Sequence, residues 1–536
     1  MKIKLLFFYL LSTCTIVAQE DAWVYFNAKP NSATFFENPL QMLSQRSLDR
    51  RNNQNIALDL KDVPIYQLYI DQIAAATGIT VMAKSRWLNC LHIRGTLSDI
   101  TALTNFEFVS TVKFANKNLN SSNKLATASK ANSLTKNVET ETTFNYGNSN
   151  NQITMLNGHL LHQQNYTGAG KIIAVLDAGF PTANSTQPFA RLRNNNLILG
   201  GYNYVSRSAN FYSANSHGTL VLSTMGAFVD NQLVGTAPDA QYYLFITENA
   251  PTENPIEESL WVEAAEEADR LGVDIINTSM GYFDYDNPNY SHTYTDMTGD
   301  KTFISRGANI AFSRGMIVVV SAGNSGGSRN PHIAAPADAT NVLTVGSVTS
   351  LENTSSFSSI GPNFSGQIKP DVMARGSAAT VATVSGTTGS ANGTSFSAPI
   401  ISGMVACLWQ ALPTKTAAQI MGIIRASADN FNMPNNTRGY GIPDFAAALR
   451  SNQPLPSTEN KNLATAYPNP ATTTITFQVP TESAILTIYN TVGQTIYNQK
   501  TYTPTVNVSV ENFSKGIYFY TITNKANQID GKFLKY

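Results

Sequence analysis

Apolar and polar positions alternate in three different rhythms along this chain, and each rhythm predicts a different kind of structure. Between about 150 and 450, short runs are apolar throughout and end in polar residues, as in KIIAVLDAGF (171–180) and MIVVVSAGN (316–324). Between two of them lies PIEESLWVEAAEEADRLG (255–272), with Ile256, Trp261, Ala264, Ala265, Ala268 and Leu271 at helical spacing, running directly into VDIINTS (273–279). Strands buried on both sides that alternate with helices predict an α/β fold, a parallel sheet flanked by helices on both faces. Ligands gather at the carboxyl ends of such strands, where Asp177, Ser279 and Asn324 fall.

The outer regions differ. Residues 19–117 mix strand-like and helix-like pieces (AWVYFNA, PIYQLYIDQIAAATG, ITVMAKSRW, FVSTVKFA) and predict a small α+β unit. Periodicity is lost over 118–150, which reads as a polar connector, and again over the linker 451–463. From 464 to 536, TTITFQV, AILTIYNTVG, TIYNQK, TVNVSV and GIYFYTITN recur with Gly and Asn turns and predict a small β-sandwich. The first 18 residues place lysines before an apolar run that ends near Ala18. That is the layout of a cleaved export signal and is too short for a comfortable membrane span.

Composition narrows the picture. With 536 residues, several domains are expected. Lys+Arg and Asp+Glu balance at 36 each, so no global field draws in nucleic acid. The basic cluster Arg46, Arg50 and Arg51 reads as a solvated helix face. Three cysteines, Cys14, Cys90 and Cys407, give neither a disulfide framework nor zinc spacing, and Cys407 reads as a buried core thiol. TGAGK (167–171) lacks the Ser/Thr and the following helix of a phosphate loop. His292 and Asp296 hint at a metal site, but YSHTYTDMTGD (290–300) reads as a surface loop.

The candidate chemistry lies in three segments: IIAVLDAGF with Asp177, NSHGTLVLSTMGA with His217, and NGTSFSAPIISG with Ser395. A serine hydroxyl needs a base within hydrogen-bond reach, and the base needs an orienting partner. An imidazole fits the first role and a carboxylate the second. Taken singly, Ser395 reads as a helix N-cap followed by Pro399 in the first turn. Asp177 and Asn324 read as turn residues, and His217 as a solvated polar group. Taken together, Ser395 becomes a nucleophile at a helix start, and Asn324 with the Ser395 N–H offers two donors to an oxyanion. A Ser–Asp–His hydrolase with GxSxG is excluded by residue order and motif.

The order Asp, His, Ser with DAG, SHGT, SAGN and GTSFSAP resembles the subtilisin-like serine peptidases, as do VGTAPDAQYYLF, INTSMG, AAPADATNVLTVGSV and FSSIGPNFSGQIKPDVMARG. DAG departs from the family pattern, which usually has Thr or Ser where Ala178 stands. The resemblance implies a secreted endopeptidase made as a zymogen, with residues 151–450 as its peptidase domain. Ser279, Met280 and Gly281 would form one backbone wall of the cleft, and Val320, Ser321, Ala322 and Gly323 the other. Protein or peptide substrate would add as an extra strand, with a neutral or hydrophobic residue before the cut. Residues 19–117 resemble the inhibitory propeptides of this family. YPNP (467–470) and GKFLK (531–535) resemble type IX secretion sorting domains, implying export through the periplasm to the cell surface or medium. No cofactor is expected; structural calcium occurs among such relatives, but no loop in the sequence shows a site. The alternatives are a non-catalytic peptide-binding surface module and a narrow-specificity processing protease.

Overall fold

The computed structural model describes residues 18–120, 144–453, 466–479, 483–523 and 528–536. The chain divides into two units, 1–453 and 454–536. The expected export signal lies outside the described residues except for Ala18, and so do most of the two connectors. Among the described residues, no helix is long and apolar enough to cross a membrane.

The first unit opens with β1 (Gln19–Phe26), α1 (Gln45–Asn53), β2 (Thr80–Ser85), β3 (Cys90–Thr96) and β4 (Val109–Phe114). These strands form an antiparallel sheet in the order β2-β3-β1-β4 over its own core, which includes Ala22, Val24, Leu91, Ile93 and Ile100. The α+β expectation for this region holds.

The larger part of the unit contains β5 (Ile172–Asp177), β6 (Ile198–Asn203), α2 (His217–Gly226), β7 (Gln241–Ile246), α3 (Ile256–Leu271), β8 (Ile275–Thr278), α4 (Phe303–Ser313), β9 (Ile317–Ser321), β10 (Leu343–Val348), β11 (Val372–Arg375) and α5 (Thr394–Ala411). All pairs in its seven-stranded sheet are parallel, in the order β11-β10-β9-β8-β5-β7-β6. Side chains alternate between two cores. Ile173, Val175, Ile275 and Val319 face α2 and α5, whereas Ile172, Ala174, Ile276 and Val318 face α3 and α4. This two-sided burial is why the strands carry no polar alternation. Helix α3 ends as its sequence dictates, at Gly272 in the left-handed conformation with φ +83°. Residues 144–150, read as connector, are folded here: Tyr146 is buried in a small cluster with Ile153 and Val234.

Strand order reverses about β5, so its carboxyl end lies at a topological switch point. Thr278 of β8 pairs with Leu176 and Val320, so the residues that follow these three, Asp177, Ser279 and Ser321, stand level at one edge of the sheet.

The antiparallel unit packs on α3 and α4. Trp23 stacks on Phe303 with ring centroids 5.0 Å apart, and Glu266 caps the chain at 85–87 by accepting from Ser85 Oγ (2.6 Å) and the N–H groups of Arg86 (3.0 Å) and Trp87 (3.0 Å). The arginine cluster departs from expectation. Arg50 and Arg51 are buried. Both contact Asp269, Arg51 also meets Asp62 at 2.9 Å, and Arg50 donates to the carbonyls of Val273 and Arg314. Arg46 is the more exposed of the three and bonds Gly272 O (2.9 Å) and Asp274 (2.5 Å). Apart from Asp62, the carboxylates that neutralise these charges, Asp269 and Asp274, lie more than 200 positions downstream, so no local pattern reveals them.

The second unit carries β12 (Ala466–Tyr467), β13 (Thr474–Gln478), β14 (Ala484–Tyr489), β15 (Thr495–Thr501), β16 (Thr505–Ser509), β17 (Gly516–Thr523) and β18 (Gln528–Lys535). They form two sheets, β12-β13-β16 and β15-β14-β17-β18, around a core that includes Ile475, Phe477, Leu486, Ile488, Val508 and Phe533. Their alternating inward positions are those the sequence predicts for a sandwich.

Candidate active site

Asp177 is the last residue of β5 and is fully buried. Its Oδ1 accepts from the Ala178 N–H (2.7 Å) and meets His217 Nδ1 at 2.7 Å. Its Oδ2 is buried with no hydrogen-bond partner among the described residues. His217 opens α2, and Gly218 makes the close approach possible. A Cβ at 218 would stand 2.4 Å from Gly179 O and 3.0 Å from Asp177 Cβ. Burial opposes charge on the imidazole, but the charge and hydrogen bond of Asp177 outweigh it and raise the His217 pKa above its ordinary value.

Ser395 is the second residue of α5, and Gly393 (φ +147°) stands at the N-cap. The N-cap reading of Ser395 is therefore overturned, and so is the first-turn reading of Pro399, which is the sixth helical residue. A proline there removes an N–H that would have bonded the Ser395 carbonyl, in a position that costs about 3 kcal/mol in an ordinary helix. The freed carbonyl is taken up instead: Ser279 Oγ donates to Ser395 O at 2.9 Å. In the other direction, Ser395 Oγ donates to Ser279 O at 3.2 Å. Asn277 Nδ2 supports Ser279 Oγ (3.3 Å), and Ser402 Oγ donates to Asn277 Oδ1 (2.8 Å). The Ser395 hydroxyl thus rests on the cleft wall, and no hydrogen bond joins it to His217 among the described residues. The imidazole lies beside the helix start, 6.0 Å between ring centroids from Phe396.

Asn324 follows β9 on an exposed turn entered through Gly323 (φ +101°). Its Oδ1 accepts from Thr394 N (2.9 Å) and Thr394 Oγ1 (3.1 Å), which leaves Nδ2 facing outward without a protein partner among the described residues. The Ser395 N–H, in the first turn of its helix, is likewise unpaired. A Cβ built on Gly393 would lie 3.6 Å from Asn324 Nδ2, 3.7 Å from Asn324 Oδ1 and 3.7 Å from Ser395 N, so the Asn324 amide and the start of α5 stand side by side at the Gly393 backbone. Thr394, which the sequence reading passed over, fixes this geometry and also accepts from the Gly323 N–H (3.1 Å).

The two expected walls differ. Met280 and Gly281 make no backbone hydrogen bond among the described residues, and Gly281 is exposed, so this wall keeps an open strand edge. On the other side, Val320, Ser321 and Ala322 are buried. The Ala322 N–H bonds Val345 O (2.9 Å), and Gly323 O accepts from Ser359 (2.9 Å). Cys407 is a buried thiol, as read. Among the described residues, no group of three or more His, Cys, Asp or Glu is placed to hold a metal.

Residues 168–441 match the model of the subtilase family. The chain belongs to that family. Subtilisin DY of Bacillus licheniformis is 30% identical over 302 residues, 56% of this chain and 97% of the relative. Subtilisin BL of Lederbergia lenta is 29% identical over 290 residues, 54% and 94% of the two chains. Among solved structures, MycP1 with its N-terminal propeptide removed is similar at 26% identity and a TM-score of 0.46, covering 57% of this chain and 99% of that one. Residues 21–133 match the peptidase S8 propeptide domain of Bacteroidota, and 465–536 match the secretion system C-terminal sorting domain. This subtilase is therefore a serine endopeptidase with its own propeptide domain, and its type IX sorting domain marks it for secretion to the cell surface or beyond.

Proposed function

We propose that this subtilase cuts protein chains through an acyl-enzyme formed on Ser395, with His217 as base and Asp177 as its orienting partner. The supporting observation is the Asp177–His217 pair, 2.7 Å apart, at the same edge of the sheet as Ser279, whose hydroxyl and carbonyl both bond Ser395. Rotation about the Ser395 Cα–Cβ bond takes the hydroxyl from Ser279 O toward the imidazole. His217 accepts the proton as Ser395 Oγ attacks the substrate carbonyl, and Asn324 Nδ2 and the Ser395 N–H donate to the oxyanion that forms. The proton passes to the leaving amine; water then repeats the sequence to release the acid. All these groups come from the chain itself, and the steps call on no cofactor.

Substrate adds as an extended strand along 279–281, the wall with the free edge. Small wall residues favour a neutral or apolar side chain before the cut. The N-terminal domain, packed on α3 and α4, holds the enzyme as a zymogen and acts as its intramolecular inhibitor.

The test is hydrolysis of a denatured protein by the processed enzyme, alongside labelling with a serine-reactive phosphonate. Ser395→Ala should lower kcat by at least ~10⁴-fold and abolish labelling, with an unchanged fold. Continued cleavage by that variant would overturn the assignment. A peptide library then separates broad digestion from narrow processing.

A further inference from the structure

Helix α5 has a defect at its working end, and the structure repairs it from outside the helix. Pro399 has no N–H to give the Ser395 carbonyl, so no helical bond holds the residue read as the nucleophile from that side. The bond comes instead from Ser279 Oγ, which stands just beyond the end of β8, 2.9 Å from Ser395 O. Two further side chains stand behind that hydroxyl. Asn277 Nδ2 donates to Ser279 Oγ (3.3 Å), and Ser402 Oγ donates to Asn277 Oδ1 (2.8 Å).

The donors all run one way, from Ser402 to Asn277 to Ser279 to Ser395. The path leaves α5 about two turns after Ser395, crosses to β8 and returns at the helix start. Every member is buried, where each bond polarises the next and a gap is costly. Asn277 has no other evident purpose. It is an amide in an apolar strand, paired in register with Val175 and Val319. Burying an amide there is unfavourable unless it is bonded, and both of its side-chain bonds among the described residues belong to this path. Ser402 Oγ likewise lies nearer to Asn277 than to Ala398 O of its own helix (3.2 Å), the partner a helical serine ordinarily takes.

We propose that Ser279 is a positioning residue for Ser395: its hydroxyl, backed by Asn277 and Ser402, replaces the helical N–H that Pro399 lacks and sets where the attacking oxygen stands relative to His217. The Ser279 carbonyl, which receives the Ser395 hydroxyl at 3.2 Å, holds only the resting rotamer; the Ser279 side chain holds the backbone from which that hydroxyl swings. The inference rests on the reading of Ser395 as the nucleophile.

The experiment compares Ser279→Ala with the parent as processed enzymes, each with and without Pro399→Ala. An extended peptide serves as substrate, and a small serine-reactive phosphonate without a peptide arm serves as probe. Ser279→Ala leaves the backbone of the wall in place. It should lower kcat about 10- to 100-fold, the cost of a slightly misplaced reacting group, with KM little changed, and slow phosphonate labelling in parallel. In the Pro399→Ala background the N–H of residue 399 can bond Ser395 O, so the same substitution should cost less than about 2-fold there. Ser402→Ala touches neither Ser395 nor the wall and should lower kcat about 3-fold, the size of one buried hydrogen bond. That variant decides the matter where Ser279→Ala does not fold. A parent-like kcat in Ser279→Ala or Ser402→Ala, a change in KM alone, or an equal loss in the Pro399→Ala background would overturn the proposal. A parent enzyme that neither cleaves the peptide nor takes the phosphonate would overturn the reading of Ser395, and this inference with it.

Discussion

The cleft leaves donors open, whereas the face that receives the propeptide pairs its buried ions with opposite charges. In the cleft, Asn324 Nδ2, the Ser395 N–H, the Gly281 edge and Asp177 Oδ2 have no protein partner among the described residues. Around α3, by contrast, Asp269 meets Arg50, Arg51 and Arg86, while Arg314 meets Asp59 and Asp62 across the same interface. A site that must stabilise charge appearing during a reaction keeps donors free for it. An interface that buries charge must match every ion, because one deleted partner leaves the other uncompensated. The first arrangement serves a passing ligand; the second holds only while both domains are present.

The largest break should come from Asp177→Asn, expected to cut kcat by about 10⁴-fold by favouring the wrong imidazole tautomer. The sign of the pH effect follows from the base being active only when neutral. Asp177 raises the His217 pKa, so the acidic limb of kcat/KM should lie above the ordinary histidine value and move to lower pH in the variant. A limb that stays put would separate Asp177 from the base. On the opposite side of the comparison, Asp269→Asn in a full-length Ser395→Ala chain strands Arg50, leaves Arg51 with Asp62 alone, and should cost the zymogen about 3–5 kcal/mol, read by denaturant unfolding. Asn324→Ala should lower kcat by about 10²–10³-fold with KM little changed, the usual loss for one oxyanion donor. The smallest effect sharpens the contrast within the cleft. Ala178→Ser adds a hydroxyl on the residue after Asp177; if it donates to the unpartnered Oδ2 it should add about 1 kcal/mol to stability. By satisfying the carboxylate it should also shift the acidic limb slightly downward, measurable as a pH–rate profile.

The parallel sheet and the residues at its carboxyl edge could be read from sequence because each signal is local. IIAVLD and IVVVS are apolar without interruption, and Asp177, His217, Asn324 and Ser395 each sit in a short, distinctive segment. The C-terminal sandwich shows equally well, since Ile475, Phe477, Leu486 and Ile488 alternate inward. What stayed hidden depends on contacts made at long range. RSLDRR carries the polar pattern of a wet helix face, and partners such as Asp269 and Arg314 O, both over 200 residues away, make it an interior one. His292 and Asp296 resemble loop residues until Lys117 and Glu258 surround them. Thr394 looked like a bystander next to Ser395, because its hydrogen-bond partner is Asn324, 70 positions back.

Pro399 has a mechanical meaning. By leaving the Ser395 carbonyl free for the Ser279 hydroxyl, it fastens the proposed nucleophile to the strip of backbone along which the proposed substrate strand would lie, so the two share one anchor.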